Sequence, residues 1–164
     1  MEELDKGLEI AAPAAIQRDA LLRFHAQIRQ WELALPDVKP LVLDFGLDDF
    51  QNTGLIEYWI ANEMDAGYCA KYLFVFDGQA CPLHHHKTKH ETFFVVRGML
   101  EVNYDGVNHP LHPGDVLPIE VGRVHGFTGR GPALLLEISK PCVIDDNYFE
   151  DTRIPIGGNY GGTA

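Results

Sequence analysis

The chain has few cysteines. Cys69, Cys81 and Cys142 are the only three, at spacings that match neither a zinc ribbon nor a disulfide scaffold, so neither framework is expected. It also lacks any apolar run near the roughly 18 residues that a membrane span requires. Basic residues are scarce: 13 Lys and Arg stand against 24 Asp and Glu, a formal net charge of −11. A field of that sign repels phosphate backbones and anionic membrane surfaces, which removes nucleic acid and membranes from the expected partners. No glycine-rich loop precedes a helix, so a backbone cradle for phosphate is missing, and no internal repeat is present. Glu2, Glu3 and Asp5 stand where a signal peptide needs positive charge, and with the cysteine usage this points to a reducing cytoplasm. What remains is a chain of 164 residues, 46% hydrophobic and 23% charged, the size of one domain with a sizeable core.

From Pro13 to Leu35, Ile16, Ala20, Phe24, Ile28, Trp31 and Leu35 recur at spacings of three and four, which predicts an amphipathic helix that Pro36 and Pro40 terminate. Beyond Pro40 the chain turns to short Val-, Ile-, Tyr- and Phe-rich segments divided by Gly, Pro, Asn and Asp. Strands are expected at Leu41–Phe45, Leu55–Ala61, Tyr68–Phe76, Thr92–Arg97, Leu100–Tyr104, Val107–Leu111, Val116–Ile119, Val124–Thr128 and Ala133–Ser139. Asp105-Gly106 tolerates the positive φ of a two-residue turn and fixes one hairpin. This pattern predicts an all-β barrel or sandwich over residues 41–154, a helical arm over 1–40 packed outside it, and a flexible tail over 155–164, which holds four glycines.

Eight histidines are many for this length, and His84, His85, His86 and His90 lie close together. On an extended chain alternate side chains share a face, so His84 and His86 can point inward together while His85, and later His90, point away. An H-x-H pair alone is as compatible with an exposed hairpin tip. Glu91 follows closely enough for a turn to bring its carboxylate to the same place, and His125 is supplied from another strand. Three nitrogens and one oxygen on a rigid barrel leave positions open on a divalent ion, as catalysis requires. Lys89, two residues before Glu91, shares its parity; partly desolvated beside a cation, its pKa is expected to fall into the range where it exchanges protons. Glu137 interrupts the apolar strand Ala133–Ile138, where a carboxylate is costly to bury unless paired or functional.

Gly78, His84, His86, Glu91 and Gly98 stand at the spacing G-x5-H-x-H-x4-E-x6-G, the first cupin motif without a mismatch. Gly114, Gly122 and His125 stand at the spacing of the second motif, with Glu120 at its usual proline and Gly129 at its usual asparagine. The chain therefore resembles the cupin superfamily. That resemblance implies a single cupin β-barrel, or jelly roll, preceded by one N-terminal helix, and a homodimer.

Further residues narrow the resemblance. Asp44, Gly46-Leu47, Gly54-Leu55, Tyr68-Cys69, Lys71, Leu73, Gly78-Gln79, Cys81-Pro82, Lys89 and Glu91-Thr92-Phe93, with Glu137, Ser139, Asp145, Asp151 and Arg153 toward the end, resemble the small cupin-type D-lyxose ketol-isomerases over residues 41–153. The resemblance implies a metal-dependent aldose–ketose isomerase working through a cis-enediol. Lys89 and Glu137 would move protons, Asp151 and Arg153 would hold the distal hydroxyls, and manganese would be bound by His84, His86, Glu91 and His125. The ligand set itself accepts manganese, iron, nickel, cobalt or zinc. The expected partner is a small sugar, free in preference to phosphorylated. Two alternatives stand beside it: a cupin methylthiotransferase acting on a methylthio-ketose phosphate in sulfur salvage, and a non-catalytic sugar-binding cupin.

Overall fold

The computed structural model describes residues 2–160. Its strands are β1 (Leu41–Leu43), β2 (Leu55–Glu63), β3 (Tyr68–Val75), β4 (Ala80–His85), β5 (Glu91–Arg97), β6 (Leu100–Tyr104), β7 (Val107–Leu111), β8 (Val116–Ile119), β9 (His125–Gly129), β10 (Ala133–Ser139) and β11 (Tyr148–Phe149). All pairings are antiparallel, in a six-stranded sheet ordered β1-β2-β3-β10-β5-β8 and a five-stranded sheet ordered β11-β4-β9-β6-β7. This is the expected two-sheet jelly roll. Nine strands fall where expected, and two are additional. β4 reads Ala-Cys-Pro-Leu-His-His, with weak strand propensity and a proline that cannot donate; a register shift between Cys81 and His84 accommodates it against β9. β11 is two residues long, too short for any periodicity, and pairs with His84 and His85.

Helix α1 (Glu2–Gly7) and a 3-10 turn at Leu8–Ile10 precede α2 (Ala14–Gln30), the amphipathic helix that the spacing predicts. It ends before Leu35. Glu32 takes a left-handed backbone (φ 54°) and the Leu33 N–H donates back to the Ile28 carbonyl at 3.2 Å, which closes the last turn.

Because side chains alternate across each strand, the larger sheet has two buried faces. Its inner face packs Leu73, Phe93, Val95 and Leu135 against Val102 and Phe127 of the smaller sheet. Its outer face packs Val42, Ile56, Phe74 and Leu134 against Ala20, Phe24 and Ile28 of α2. Both chain ends contribute to the inner core through Ile10 and Ile156. The segment expected to be a loose tail is packed as far as it is described: Ile156 is buried and Asn159 Nδ2 donates to the Phe149 carbonyl at 2.8 Å. Residues 161–164 lie outside the described residues. Gly98 closes the β5–β6 turn at φ 76°, where a Cβ would collide with the Pro132 carbonyl oxygen.

Candidate active site

The inner core changes character along β10. Leu135 is apolar, but the next inward positions are Glu137 and Ser139, both buried. Register carries the change across the sheet: Glu137 pairs with Lys71 on β3 and Phe93 on β5, Lys71 with Trp59 on β2, and Ser139 with Glu91. The facing sheet supplies His84 on β4 and His125 on β9, which are directly paired. His86 and Lys89 come from the loop between β4 and β5. These groups bound a cavity of about 50 Å³ lined by Glu57, Lys71, His84, Lys89, Glu91 and Glu137, with Asn147, Cys81, leucines and phenylalanines completing its wall.

Four side chains present convergent donors: His84, His86, Glu91 and His125 each place one ligand atom within 4.8 Å of the others, and all four are buried. Each imidazole is oriented from behind. Nδ1 of His84, His86 and His125 lies 2.8, 2.9 and 2.9 Å from the carbonyl oxygens of Pro82, Asp146 and Arg123. A carbonyl only accepts, so Nδ1 carries the proton and the Nε2 lone pair faces the cluster. Burial, and for His84 also the neighbouring imidazoles, pushes His84 and His86 below the ordinary histidine value, which keeps the rings neutral as ligation requires.

The Nε2 atoms of His86 and His125 and the Oε1 of Glu91 are buried without a hydrogen-bond partner, although His125 Nε2 and Glu91 Oε1 stand 2.6 Å apart. Two lone pairs that close repel unless a cation lies between them. The donor set thus fits a divalent ion.

Asp146 shapes the loop that delivers His86 and Lys89. Its carboxylate accepts from the backbone N–H of Lys87 (2.9 Å), Thr88 (3.1 Å) and Lys89 (2.9 Å) and from the Thr88 hydroxyl (2.7 Å). Burial works to raise its pKa, and these donors outweigh burial and hold it below the ordinary value.

Lys89 is buried as parity implied, but its charge state differs from the expectation. Its Nζ lies 2.6 Å from Glu91 Oε2 and 2.9 Å from Glu137 Oε1. Burial works to lower its pKa, and the two carboxylates outweigh burial, so the ammonium is held above its ordinary range. As an ammonium it donates to both carboxylates. Glu137 is inward and buried, as its apolar strand suggested: burial works to raise it, and Lys71 and Lys89 keep it ionised. Lys89 and Ser139 occupy its Oε1 at 2.9 and 3.0 Å, leaving Oε2 toward the cavity.

Asp151 and Arg153 are not brought to this cavity. They pair with each other at 2.6 Å in an exposed turn, the Arg153 side chain 76% accessible, and neither lines the cavity wall. The two are so close in sequence that their mutual pairing satisfies both. Glu57 and Lys71 stand in the wall instead, with Trp59 lining the adjoining space, and no role was assigned to them from sequence. The signal was available: like Glu137, Glu57 and Lys71 are charged residues at inward positions of apolar strands.

The fold and site can now be set beside known proteins. A cupin-domain family model matches residues 73–139, and a D-lyxose isomerase family model matches residues 41–102. A curated relative, the D-lyxose/D-mannose isomerase of Thermosediminibacter oceani, is 32% identical over 141 residues, covering 69% of this chain and 77% of that protein. The L-ribose isomerase of Geodermatophilus obscurus superposes with a TM-score of 0.70 at 16% identity, covering 87% of this chain and 94% of the other. A variant of the Acinetobacter sp. DL28 L-ribose isomerase in complex with L-ribose gives 0.66 at 16% identity, covering 80% and 82%. The two structural likenesses speak for the fold, and the curated relative and the family models for descent: this chain belongs to the cupin-type D-lyxose isomerase family.

Proposed function

We propose that the chain is a divalent-metal-dependent aldose–ketose isomerase that acts on a free sugar through a cis-enediol. The observation that carries this is one buried cavity in which four convergent metal donors adjoin an ionised carboxylate with a free oxygen, Glu137 Oε2, and a buried ammonium, Lys89. His84, His86, Glu91 and His125 would hold a divalent ion, which would supply Lewis acidity toward the oxygens of an open-chain sugar. Manganese is the favoured ion because the family resemblance implies it; the donor set itself equally accepts zinc, iron, cobalt and nickel.

The protein's own groups handle the protons. Glu137 Oε2 takes the proton from C2, beside the carbonyl, and returns it to C1, while the C2 hydroxyl proton passes to the C1 oxygen, which converts aldose to ketose without net change in oxidation. Lys89 and Ser139 hold Oε1, so the carboxylate cannot rotate away. Lys89, locked as an ammonium, donates toward the oxygen that gains charge as the enediol forms. Acid–base transfer of this kind is worth about 10² to 10⁴ in rate. No arginine lines the cavity among the described residues, so a bidentate clamp for phosphate is missing, which favours a free sugar over its phosphate ester.

D-Lyxose and D-mannose are the first substrates to test, after the relative's name. The metal-reconstituted protein, given those aldoses and L-ribose, should form the corresponding ketoses, and chelation should abolish turnover. Failure to convert any free aldose while a phosphate ester or a methylthio-ketose phosphate is consumed would overturn this assignment. Three free, buried cysteines support a cytoplasmic setting. Phe94, Val116 and Ile138, exposed on the part of the larger sheet that α2 leaves open, support a homodimer, which sedimentation would test.

A further inference from the structure

Two ammonium groups share the cavity, equally buried and differently bound. Lys89 has carboxylate oxygens at 2.6 and 2.9 Å. Around Lys71 the nearest carboxylate oxygens are Glu137 Oε2 at 3.7 Å and Glu57 Oε1 at 3.9 Å, and its one polar contact within bonding range is the weak acceptor Cys142 Sγ at 3.6 Å. Three donors therefore sit 4% accessible with no oxygen at hydrogen-bond distance among the described residues. The facing acceptors are equally idle. Glu57 Oε2 is taken by Trp59 Nε1 at 2.6 Å, while its Oε1 makes no hydrogen bond; Glu137 Oε1 is taken, while its Oε2 makes none.

We propose that this gap is the subsite for a hydroxyl group of the sugar beyond the reacting carbon pair, with Lys71 donating to it and Glu57 accepting from it, so that these two residues determine which hydroxyl configuration is accepted. The assignment rests on the isomerase function above. A hydroxyl is the group that accepts and donates at once. An oxygen about 2.8 Å from both Lys71 Nζ and Glu57 Oε1, which are 3.9 Å apart, would see them at roughly 90°, an angle a tetrahedral hydroxyl tolerates. Glu137 Oε2, at 3.7 Å from the same ammonium, leaves room for a second oxygen on its other side.

The surroundings hold the pair ready. Trp59 fixes Glu57 through its N–H and lies under Lys71, whose Nζ is 5.0 Å from the indole centroid. Trp59, Lys71 and Glu137 form one cross-strand row, so the spacing is set by sheet register rather than by a loop. Beyond Trp59 the space continues against Ile10, Leu41, Leu43 and Ile156, which offer no polar group to a charged substituent.

The test uses the metal-loaded protein, an aldose that it converts, and the deoxy forms of that aldose lacking one hydroxyl each beyond the reacting carbons. For one deoxy sugar kcat/KM should fall by about 10²-fold or more, because buried polar groups are left unpaired. Lys71→Met and Glu57→Gln should lose a similar factor on the parent sugar and little further on that deoxy sugar, with metal content unchanged. Equal losses on both sugars, or no deoxy sugar discriminated, would overturn the subsite. Should Lys71→Met fail to fold, Glu57→Gln decides, since it keeps the side-chain shape and the acceptor for Trp59. A metal-loaded parent that converts no aldose sinks the isomerase function instead. Calorimetry with pentitols, which need no turnover, then decides the subsite: weaker pentitol binding by Glu57→Gln upholds it, and equal binding removes it.

Discussion

On β3 and β10 the outward residues Phe74 and Leu134 sit beneath α2 among aromatic and aliphatic neighbours, while the inward residues Lys71 and Glu137, on the same two strands, are charged and as deeply buried. The outer face closes on Phe24, whose ring meets Phe74 edge-on at 4.8 Å within a cluster of aromatic and aliphatic side chains. The inner face at its polar end gathers Lys71, Lys89, Glu57, Glu91 and Glu137 around three imidazoles. Burying charge costs several kcal/mol per ion, which mutual pairing offsets only in part. A sheet that can stabilise the fold through one face can tolerate that cost on the other. The difference therefore separates residues kept for folding from residues kept for chemistry, and substitutions on the two faces should fail in different ways.

The largest effect should come from the ligands. His84→Ala and His125→Ala should reduce bound metal from about one ion per chain toward none and abolish turnover, as elemental analysis and a ketose assay would show. Glu137→Gln should keep the metal and lose about 10² to 10⁴ in kcat. Across the sheet, Phe24→Ala should lower unfolding free energy by about 3–5 kcal/mol, measured by denaturant titration, while metal content and turnover per folded molecule stay near the parent's. If Phe24→Ala instead empties the metal site, the two faces are not separable.

Asp146 sharpens the comparison through pH. Its pKa is held below the ordinary aspartate value, so its stabilising contribution is full above about pH 4 and is lost as pH falls through the lower folded-state value. Asp146→Asn should destabilise by about 1.5–3 kcal/mol at pH 7, and the gap to the parent should close below about pH 4, as paired thermal melts would show. The smallest effect belongs to Arg153→Ala. Its exposed pair with Asp151 faces solvent, so Tm and kcat/KM should match the parent's within error.

The donor cluster was legible in sequence because ligand chemistry constrains spacing: His84, His86 and Glu91 lie in one short run, although the loop that turns His86 inward was not. The jelly roll was legible through alternation of side chains. β4 escaped although it carries His84, because its proline and histidines give no strand signal and the bulge at Cys81–His84 breaks the period. Glu57, Trp59 and Lys71 escaped as a set because sheet register, which a single sequence does not encode, brings them together. The carboxylate contacts of Lys89 escaped for a related reason. Its parity was visible, but the position of Glu137 beside it, which reverses the sign of the shift, depends on β10 lying next to β5. Asp151 and Arg153 show the converse: a resemblance in sequence carried no information on which way the turn faces.

The account stands most directly on proton transfer by Glu137 within this cavity. Aldose converted to ketose by the metal-loaded protein in heavy water should carry solvent deuterium at C1, since a carboxylate that exchanges with solvent between abstraction and return delivers a solvent nucleus. Deuterium at C1 that disappears, together with turnover, in Glu137→Gln is the result predicted. Full conversion with no deuterium at C1 would mean that no solvent-exchanging base carries the hydrogen between the two carbons and would contradict the account.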